Sequence, residues 1–460
     1  MRTTLWTGPV GTIRFALFAS LAVLLADSGV AQTATYTVLH TFTGNPDGAE
    51  PYGALTIAKN GTLYGTTYGG GPNLCYVFAG DYSCGTAFAL TRSPGGGWTE
   101  NIIHAFSGPD GTWPGAALTL GSNGVLYGTT ETGTGTATGG TIFELAPPAI
   151  KGGAWTESVL YAFPNQRGST NHTPRAPVLI GSHGTLYTTA SSGTVIALLP
   201  SGASGGAWTA HALFDGFGFY ETVGSAPWAG LVSNAGTLFG TTYNGSDEYC
   251  GSDGCGAVYS LAPPSSDGGP WVATALHVFT GPPNGDGSLA AVTMGPGGVL
   301  YGTTNFGGSG TACQISGTAG GCGVVFQLTP PSTPGGSWTE SVIYSFTGQN
   351  GDGALPSGGV LVGKNGALYG TTQYGGSATA GSPCTLFGFS GSGCGTVFRL
   401  TPPATSGGAW TETILHSFTG QSGDGAIPLA GLTQASGGLL YGTTSLGGSA
   451  GLGTVFSIKP

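Results

Sequence analysis

The sequence predicts an all-β protein that folds as a seven-bladed β-propeller, with four antiparallel strands in each blade. The first observation behind this prediction is a phrase of the type Leu-Tyr-Gly-Thr-Thr, which occurs seven times and begins at Leu63, Leu126, Leu186, Leu238, Leu300, Leu368 and Leu440. The second is the spacing of the copies, 52 to 72 residues, which suits one small four-stranded sheet and is too long for one coil of a solenoid. The third is the lack of any apolar period typical of an α-helix.

Four extended runs recur in each copy, and we call them A to D from the predicted inside of the ring outwards. Run A is short and apolar, as in 430–433, and run B is the Leu-Tyr-Gly-Thr-Thr phrase. Run C has the type Gly-Thr-Val-Phe, as in 453–458, and run D begins with Trp, as in 410–418. All four are rich in β-branched and aromatic residues and are bounded by Gly, Pro, Asn and Ser, which is typical of strands.

The two ends of the repeat array predict how the ring closes. The chain has a lone run of type D at 36–42, before the first copy, and its last copy ends on a run of type C at Ile458. We therefore expect the N-terminal run to join the last blade as its outer strand, which would remove the open sheet edge.

The strand order also assigns the loops to two faces. The A–B and C–D turns lie on one face, and the D–A and B–C loops lie on the other. The second face carries the length variation and all eight cysteines, which form local pairs in the B–C loops: Cys75 with Cys84, Cys250 with Cys255, Cys313 with Cys322, and Cys384 with Cys394. Paired cysteines in an exported chain predict disulfides, whereas zinc would need clustered His partners that are missing nearby.

Residues 1–31 have the pattern of a secretory signal peptide, which leaves 32–460 as the propeller. Arg2 and Arg14 precede an apolar run at 15–26, and small residues lead to Ala31. The run is short for a membrane span, and an uncleaved anchor is the alternative interpretation. We expect a secreted or outer-surface protein without a membrane span after cleavage, acting as a monomer. The excess of 20 acidic over 10 basic residues argues against nucleic acid as a partner.

Several segments resemble a known repeat family. The phrases Leu-Tyr-Gly-Thr-Thr, Gly-Thr-Val-Phe, Leu-His-Ser-Phe-Thr-Gly and Asp-Gly-Ala, seen together in 415–425 with 440–456 and in 345–354 with 368–398, resemble the GloVer-type tandem repeat of bacterial secreted and surface proteins. The resemblance implies export and a β-propeller-like repeat. It implies no known activity, so no catalytic residue is carried over.

Two repeated polar positions favour structural roles. Five D–A loops contain Asp-Gly, at Asp47, Asp110, Asp286, Asp352 and Asp424. They predict turns in which Asp bonds the backbone, although a ring of carboxylates for Ca²⁺ is the alternative. His40, His104, His277 and His416 share one position of run D with Tyr161, Phe214 and Tyr344, which indicates packing rather than acid–base chemistry or metal ligation. We expect no catalytic residue, metal or cofactor.

The candidate ligand site is where copies three and four depart from the repeat, on the D–A and B–C face. The third D–A loop replaces Asp-Gly with basic residues, the fourth is aromatic, and the third B–C link is the shortest, at 190–193. Aromatic faces and planar donors suit a carbohydrate. The predicted ligand-binding residues are Arg167, His172, Arg175, Phe217, Phe219, Tyr220, Glu221 and Trp228.

Three functions remain open at this point. The first is a non-catalytic recognition module for a polysaccharide or an extracellular protein. The second is a glycan-active lyase or hydrolase on the same face, with His172, Arg175 and Glu221 as its polar cluster. The third is a structural cell-surface protein, in which the altered loops reflect repeat decay or loop packing.

Overall fold

The computed structural model of the chain is an all-β ring of seven blades, each a four-stranded antiparallel sheet. It describes residues 34–460 except 77–80, 134–138, 151, 165–172, 202–205, 218–220, 246–249, 251–252, 267–268, 314–319, 334, 378–383, 385–392 and 406. The predicted signal peptide at 1–31 therefore lies outside the described residues.

Strands A to D follow one another along the chain in blades 1 to 6. Their bounds are Thr56–Ile57, Leu63–Thr67, Thr86–Arg92 and Trp98–Ala105 in blade 1; Thr119–Leu120, Leu126–Thr130, Thr141–Ala146 and Thr156–Ala162 in blade 2; Leu179–Ile180, Leu186–Ala190, Thr194–Leu199 and Thr209–Phe214 in blade 3; Val232–Asn234, Thr237–Thr241, Ala257–Ala262 and Val272–Val278 in blade 4; Thr293–Met294, Leu300–Thr304, Val324–Thr329 and Thr339–Ser345 in blade 5; Leu361–Val362, Leu368–Thr372, Thr396–Thr401 and Thr411–Ser417 in blade 6.

Blade 7 closes the ring as the sequence predicts. Its strands A to C are Thr433–Gln434, Leu440–Thr444 and Thr454–Lys459, and its strand D is the N-terminal Thr35–Thr41. The closing pair is antiparallel, with Thr35 opposite Lys459.

Short elements occupy the loops. Single 3₁₀ turns lie in four A–B turns, at Ser122–Gly124, Ser182–Gly184, Pro296–Gly298 and Lys364–Gly366. Two-stranded ribbons on the opposite face pair Gly285–Asp286 with Phe306–Gly307, Gly353–Ala354 with Tyr374–Gly375, Gly425–Ala426 with Leu446–Gly447, and Leu74–Tyr76 with Asp81–Ser83.

The two threonines of the repeated phrase explain how neighbouring blades are held together. The Oγ1 atom of the first threonine donates a hydrogen bond of 2.8 to 3.1 Å to the backbone carbonyl three residues before strand A of the next blade. Thr443 makes this bond to Gly53 across the closing junction. In blades 1, 2, 6 and 7 the second threonine bonds a threonine of strand C within its own blade, as in the pair Thr67 and Thr86 at 2.8 Å. These side chains are buried, so each bond also satisfies a group that water does not reach.

The core lies between the blades and is largely aromatic. A phenylalanine just after strand D packs edge-on against an aromatic ring from strand C of the next blade, as in Phe42 with Phe88 and Phe106 with Phe143, with centroids 5.2 and 5.1 Å apart. These side chains are fully buried. Edge-to-face pairs of this kind add about 0.5–1.5 kcal/mol beyond burial.

Every C–D pair contains a β-bulge at the same place. In blade 1 the register shifts between the pairs Ala87–His104 and Phe88–Ile102, and the same shift occurs in the other six blades. A bulge changes the direction in which the following side chains point. Here it precedes the residue of strand D that is His104 in blade 1 and histidine, tyrosine or phenylalanine in the others.

Candidate ligand site on the D–A and B–C face

One backbone hydrogen bond identifies the innermost positions of this face. The residue after strand B donates its N–H to the carbonyl of a D–A loop residue, as Tyr68 does to Glu50 at 3.0 Å and Glu131 to Trp113 at 3.2 Å. The same bond recurs in all seven blades, with Ser191, Tyr243, Asn305, Gln373 and Ser445 as the other donors. We call these donors, their acceptor residues, and the residue two positions after each acceptor the inner rim.

The inner rim is chemically divided into two parts. In blades 1 to 4 eight of its twelve positions carry aromatic or charged side chains, namely Glu50, Tyr52, Tyr68, Trp113, Glu131, Arg175, Trp228 and Tyr243, and the other four are Gly115, Thr173, Ser191 and Ala226. In blades 5 to 7 the same positions hold small, apolar or amide side chains: Gly287, Leu289, Asn305, Leu355, Ser357, Gln373, Ile427, Leu429 and Ser445. The regular repeat thus carries a specialised half, which we call the aromatic half-rim.

Three rings of the half-rim form a stack across blades 1 and 2. The centroids of Tyr52 and Tyr68 are 4.8 Å apart, and those of Tyr68 and Trp113 are 5.6 Å apart, with interplanar angles of 23° and 17°. The Tyr52 hydroxyl donates to Oε2 of Glu50 at 2.8 Å. All three rings are half-buried, so part of each remains open to solvent.

Glu131 connects this stack to blades 3 and 4. Its Oε2 accepts a hydrogen bond from the Tyr68 hydroxyl at 3.4 Å and lies 3.4 Å from Nη2 of Arg175. Burial raises the pKa of Glu131, and the Arg175 charge and the Tyr68 hydrogen bond oppose that rise. The Arg175 guanidinium lies 5.4 Å from the Trp228 ring centroid, and Trp228 stacks on Tyr243 at 4.9 Å. The half-rim is therefore one continuous network of contacts.

The structure brings two of the predicted ligand-binding residues into this network. Arg175 has a side chain that is 46 % exposed, and Trp228 is half-buried beside it. Phe217, by contrast, is only 8 % exposed and packs edge-on against Tyr259 at 4.8 Å. It is the inter-blade phenylalanine of this junction and is not accessible to a ligand.

Of the remaining predicted residues, only Glu221 lies among the described residues. Glu221 is exposed, and no ion pair joins it to Arg175, whose carboxylate partner is Glu131. This removes the contact on which a cluster of His172, Arg175 and Glu221 would depend. Arg167, His172, Phe219 and Tyr220 lie outside the described residues.

Sequence reasoning missed six members of the half-rim, namely Glu50, Tyr52, Tyr68, Trp113, Glu131 and Tyr243. Tyr68, Glu131 and Tyr243 follow the repeated phrase directly, where the later copies have Asn305, Gln373 and Ser445. Comparing that position across the copies would have singled out Tyr68, Glu131 and Tyr243, but not a division between blades 4 and 5, because the third copy has Ser191 there, as the seventh has Ser445.

The Asp-Gly loops have the predicted turn chemistry and an additional partner. The carboxylates of Asp47, Asp110, Asp352 and Asp424 accept hydrogen bonds of 2.7 to 2.9 Å from backbone N–H groups three to five residues earlier. Three of them also lie within 2.8 to 3.2 Å of a histidine Nε2, in the pairs His40–Asp47, His104–Asp110 and His416–Asp424. The histidine rings pack edge-on against phenylalanines, as expected, but the pairing with aspartate was not foreseen.

Glutamates of strand D lie near these loops in neighbouring blades. Burial raises the pKa of Glu100, Glu157 and Glu412 to about 7 in each case, and nearby aspartates add to the rise. His104 and the other His–Asp contacts hold the pKa of Asp110 and Asp424 below the ordinary value, against the effect of burial. The clefts between blades therefore carry a second, separate set of titratable groups.

All four predicted disulfides are present, joining Cys75 to Cys84, Cys250 to Cys255, Cys313 to Cys322 and Cys384 to Cys394. In the part of the chain that the structure describes, no helix is both long and apolar enough to span a membrane. The four disulfides are consistent with an extracellular protein.

Comparison with known proteins identifies a repeat family. The model of the Gloeobacter/Verrucomicrobia repeat matches residues 30–203 and 311–460, which is well over half of the chain. A search of the curated proteins finds no relative. Among solved structures, a putative oxidoreductase (glucose dehydrogenase) from Thermus thermophilus is 14% identical, with a TM-score of 0.39, over 93% of this chain and 100% of that one.

Two fungal proteins are similar in the same way. A Trichoderma reesei carbohydrate-active enzyme of family AA12 is 12% identical with a TM-score of 0.42, over 93% of this chain and 96% of that one. The PQQ domain of a pyranose dehydrogenase from Coprinopsis cinerea is 12% identical with a TM-score of 0.40, over 94% and 96%.

Proposed function

This chain belongs to the Gloeobacter/Verrucomicrobia repeat family, and we propose that it is an extracellular, monomeric recognition module that binds a polysaccharide through the aromatic half-rim. The observation that carries the proposal is the concentration of five aromatic rings and three charged side chains on four of seven otherwise equivalent blades. A purely structural rim would be expected to repeat with the blades, as the threonine bonds do.

The chemistry of the half-rim suits a sugar ring. Pyranose rings bind by laying their C–H faces on aromatic side chains while their hydroxyls bond polar groups at the edges. Tyr52, Tyr68, Trp113, Trp228 and Tyr243 supply ring surfaces, and Glu50, Glu131 and Arg175 supply acceptors and donors beside them. The tyrosine hydroxyls add further polar groups at the ring edges.

The charges favour a neutral polysaccharide over an acidic one. Arg175 is already paired with Glu131, and Glu50 gives the half-rim one excess negative formal charge. The whole chain is also acidic, with a formal charge of -10. A uronate would therefore meet repulsion that a neutral hexose or pentose polymer does not.

The test is affinity electrophoresis and column retention of the protein and two tryptophan variants on neutral and acidic polysaccharides. Trp228→Ala removes a half-rim ring and should weaken retention on a neutral polymer at least about tenfold, since central aromatics dominate such sites. Trp98→Ala is the matched control, because Trp98 is also half-buried and also lies against an arginine, at 5.1 Å from Arg92, but on the opposite face.

The outcomes separate the candidate functions. Equal losses in Trp228→Ala and Trp98→Ala would place the binding surface elsewhere. Appearance of new reducing or unsaturated sugar ends during incubation would favour a lyase or hydrolase. Lack of retention on every polymer would overturn the proposal in favour of a protein partner or a structural role.

A further inference from the structure

The cleft between blades 1 and 2 gathers three side chains with metal-binding groups. His104 lies in strand D of blade 1 directly after the bulge, Asp110 lies six residues later in the D–A loop, and Glu157 lies in strand D of blade 2. One ligand atom from each lies within 4.8 Å of the others. This set is separate from the aromatic half-rim and comes from the outer strands of two blades.

The orientation of Asp110 leaves one oxygen directed at this group. Its Oδ1 accepts hydrogen bonds from the backbone N–H and the hydroxyl of Ser107, at 2.9 and 3.1 Å. Its Oδ2 lies 2.8 Å from Nε2 of His104. The serine contacts therefore fix the carboxylate, and the histidine nitrogen and the second oxygen converge from the same side.

Among the described residues, no lysine or arginine pairs with the carboxylates of the cluster, and His104 is the basic group beside them. Oε1 of Glu157 is buried and accepts no hydrogen bond from the described residues. Neither Asp110 nor Glu157 forms an ion pair with a lysine or arginine among those residues, and Glu144 adds a further negative charge nearby. Burying two carboxylates together is costly unless a cation neutralises them.

We propose that His104, Asp110 and Glu157 bind a divalent first-row transition-metal ion such as Zn²⁺ or Mn²⁺. One imidazole nitrogen and two carboxylate oxygens suit such an ion better than Ca²⁺, which prefers oxygen ligands alone. The side chains of His104 and Asp110 are 19% and 17% exposed, so solvent reaches the cluster and water can complete the coordination. The ion would join blade 1 to blade 2 from the outside of the ring.

The equivalent clefts provide matched variants. Phe214 replaces the histidine in blade 3, and Ala210 and Ala273 replace the glutamate in blades 3 and 4, so His104→Phe and Glu157→Ala copy substitutions that the fold already accommodates. The cleft between blades 7 and 1 has His40, Asp47 and Glu100. In the described part of the chain, the only other close set is Cys250, Cys255 and Asp286, whose cysteines form a disulfide.

The experiment measures Zn²⁺ binding to the untagged protein by isothermal titration calorimetry and by metal analysis after dialysis. We expect one ion per chain, with affinity at least about tenfold lower in both His104→Phe and Glu157→Ala and unchanged in His40→Phe. Circular dichroism and the melting temperature without metal confirm that each variant is folded. If one of these two variants fails to fold, Zn²⁺ binding by the other variant tests the proposal.

Cobalt offers an independent readout. Co²⁺ bound through an imidazole and two carboxylates should give a visible absorption band that is lost in His104→Phe and kept in His40→Phe. The proposal is overturned if the wild-type protein binds no Zn²⁺ or Mn²⁺ after exhaustive titration. It is equally overturned if His40→Phe loses as much binding as His104→Phe.

Discussion

At Gly302 the repeat depends on the absence of a single carbon atom. A Cβ built on Gly302 would lie 2.4 Å from Cζ of the Phe326 ring, and the same approach of 2.4 to 2.5 Å recurs at Gly65, Gly128, Gly370 and Gly442. Blade 3 differs at both positions of this glycine–phenylalanine pair, because Thr188 of strand B lies opposite Ile196 of strand C. The smaller isoleucine leaves the space that a Cβ needs, so the two positions change together.

We expect Gly302→Ala to lower the free energy of unfolding by about 1–3 kcal/mol, since the added methyl group overpacks the core. Combined with Phe326→Ile, it should cost less than the sum of the single changes, because the ring that blocks it is gone. Denaturant unfolding of the two single variants and the double variant measures this coupling. Gly437→Ala is the control, as its Cβ meets nothing within 4 Å. Strict additivity would contradict the steric explanation.

Individual residues also show which features could be predicted from the sequence and which could not. The repeated phrase, its spacing and the paired cysteines were enough to predict the strands, the blade count and the disulfides, because each depends on a local sequence pattern. Phe217 was assigned to a ligand loop because the fourth copy places its phenylalanine three residues after Phe214, where the other copies have two. Tyr68 and Glu131 were missed because their partners Trp113 and Arg175 come from the next blade, and a contact between blades cannot be seen in the sequence of a single copy.

At the scale of the strand, each cleft between two blades contains ionisable side chains at equivalent positions, but the residue types differ from cleft to cleft. In the cleft of blades 5 and 6, the Tyr344 hydroxyl donates to Oε2 of Glu412 at 2.9 Å, and the Asp352 carboxylate lies nearby. Burial, and then the charge of Asp352, raise the pKa of Glu412 to about 7. Folding therefore favours the protonated form of Glu412.

The pH dependence follows from that direction. The contribution of Glu412 to stability is complete below the ordinary glutamate pKa, near 4.5, and is lost as the pH rises through about 7. We expect Glu412→Gln to be more stable than the wild-type protein at pH 8, by about 1 kcal/mol after allowance for solvent screening, with little advantage at pH 4. Melting temperatures between pH 4 and 8 measure the effect, and Glu221→Gln, which changes an exposed side chain, is the control. A difference in melting temperature between Glu412→Gln and the wild-type protein that stays constant from pH 4 to 8 would contradict this prediction.

At the scale of the whole molecule, the ring depends on one strand that is distant in sequence from its blade. Thr35–Thr41 covers the edge of Thr454–Lys459, and the buried Phe42 follows it into the junction with Phe88. Without them, blade 7 would expose a row of unpaired backbone groups and an apolar gap.

We expect a chain that begins at Gly44 to lose cooperative thermal unfolding and to self-associate, whereas a chain that begins at Ala34 should behave like the intact propeller. Size-exclusion chromatography, limited proteolysis and thermal unfolding distinguish the two. Retention of the same melting temperature by the shorter chain would show that the other six junctions hold the ring without its closing strand.

The closing pair also has a mechanical consequence. Because Thr35 lies opposite Lys459, the outer ends of both strands point to the same end of the sheet. A force that pulls these two ends apart would peel the hydrogen bonds one after another, like a zipper, instead of loading them all at once in shear. Tethering through one end leaves this seam free of tension, whereas tethering through both would make it the first place to tear.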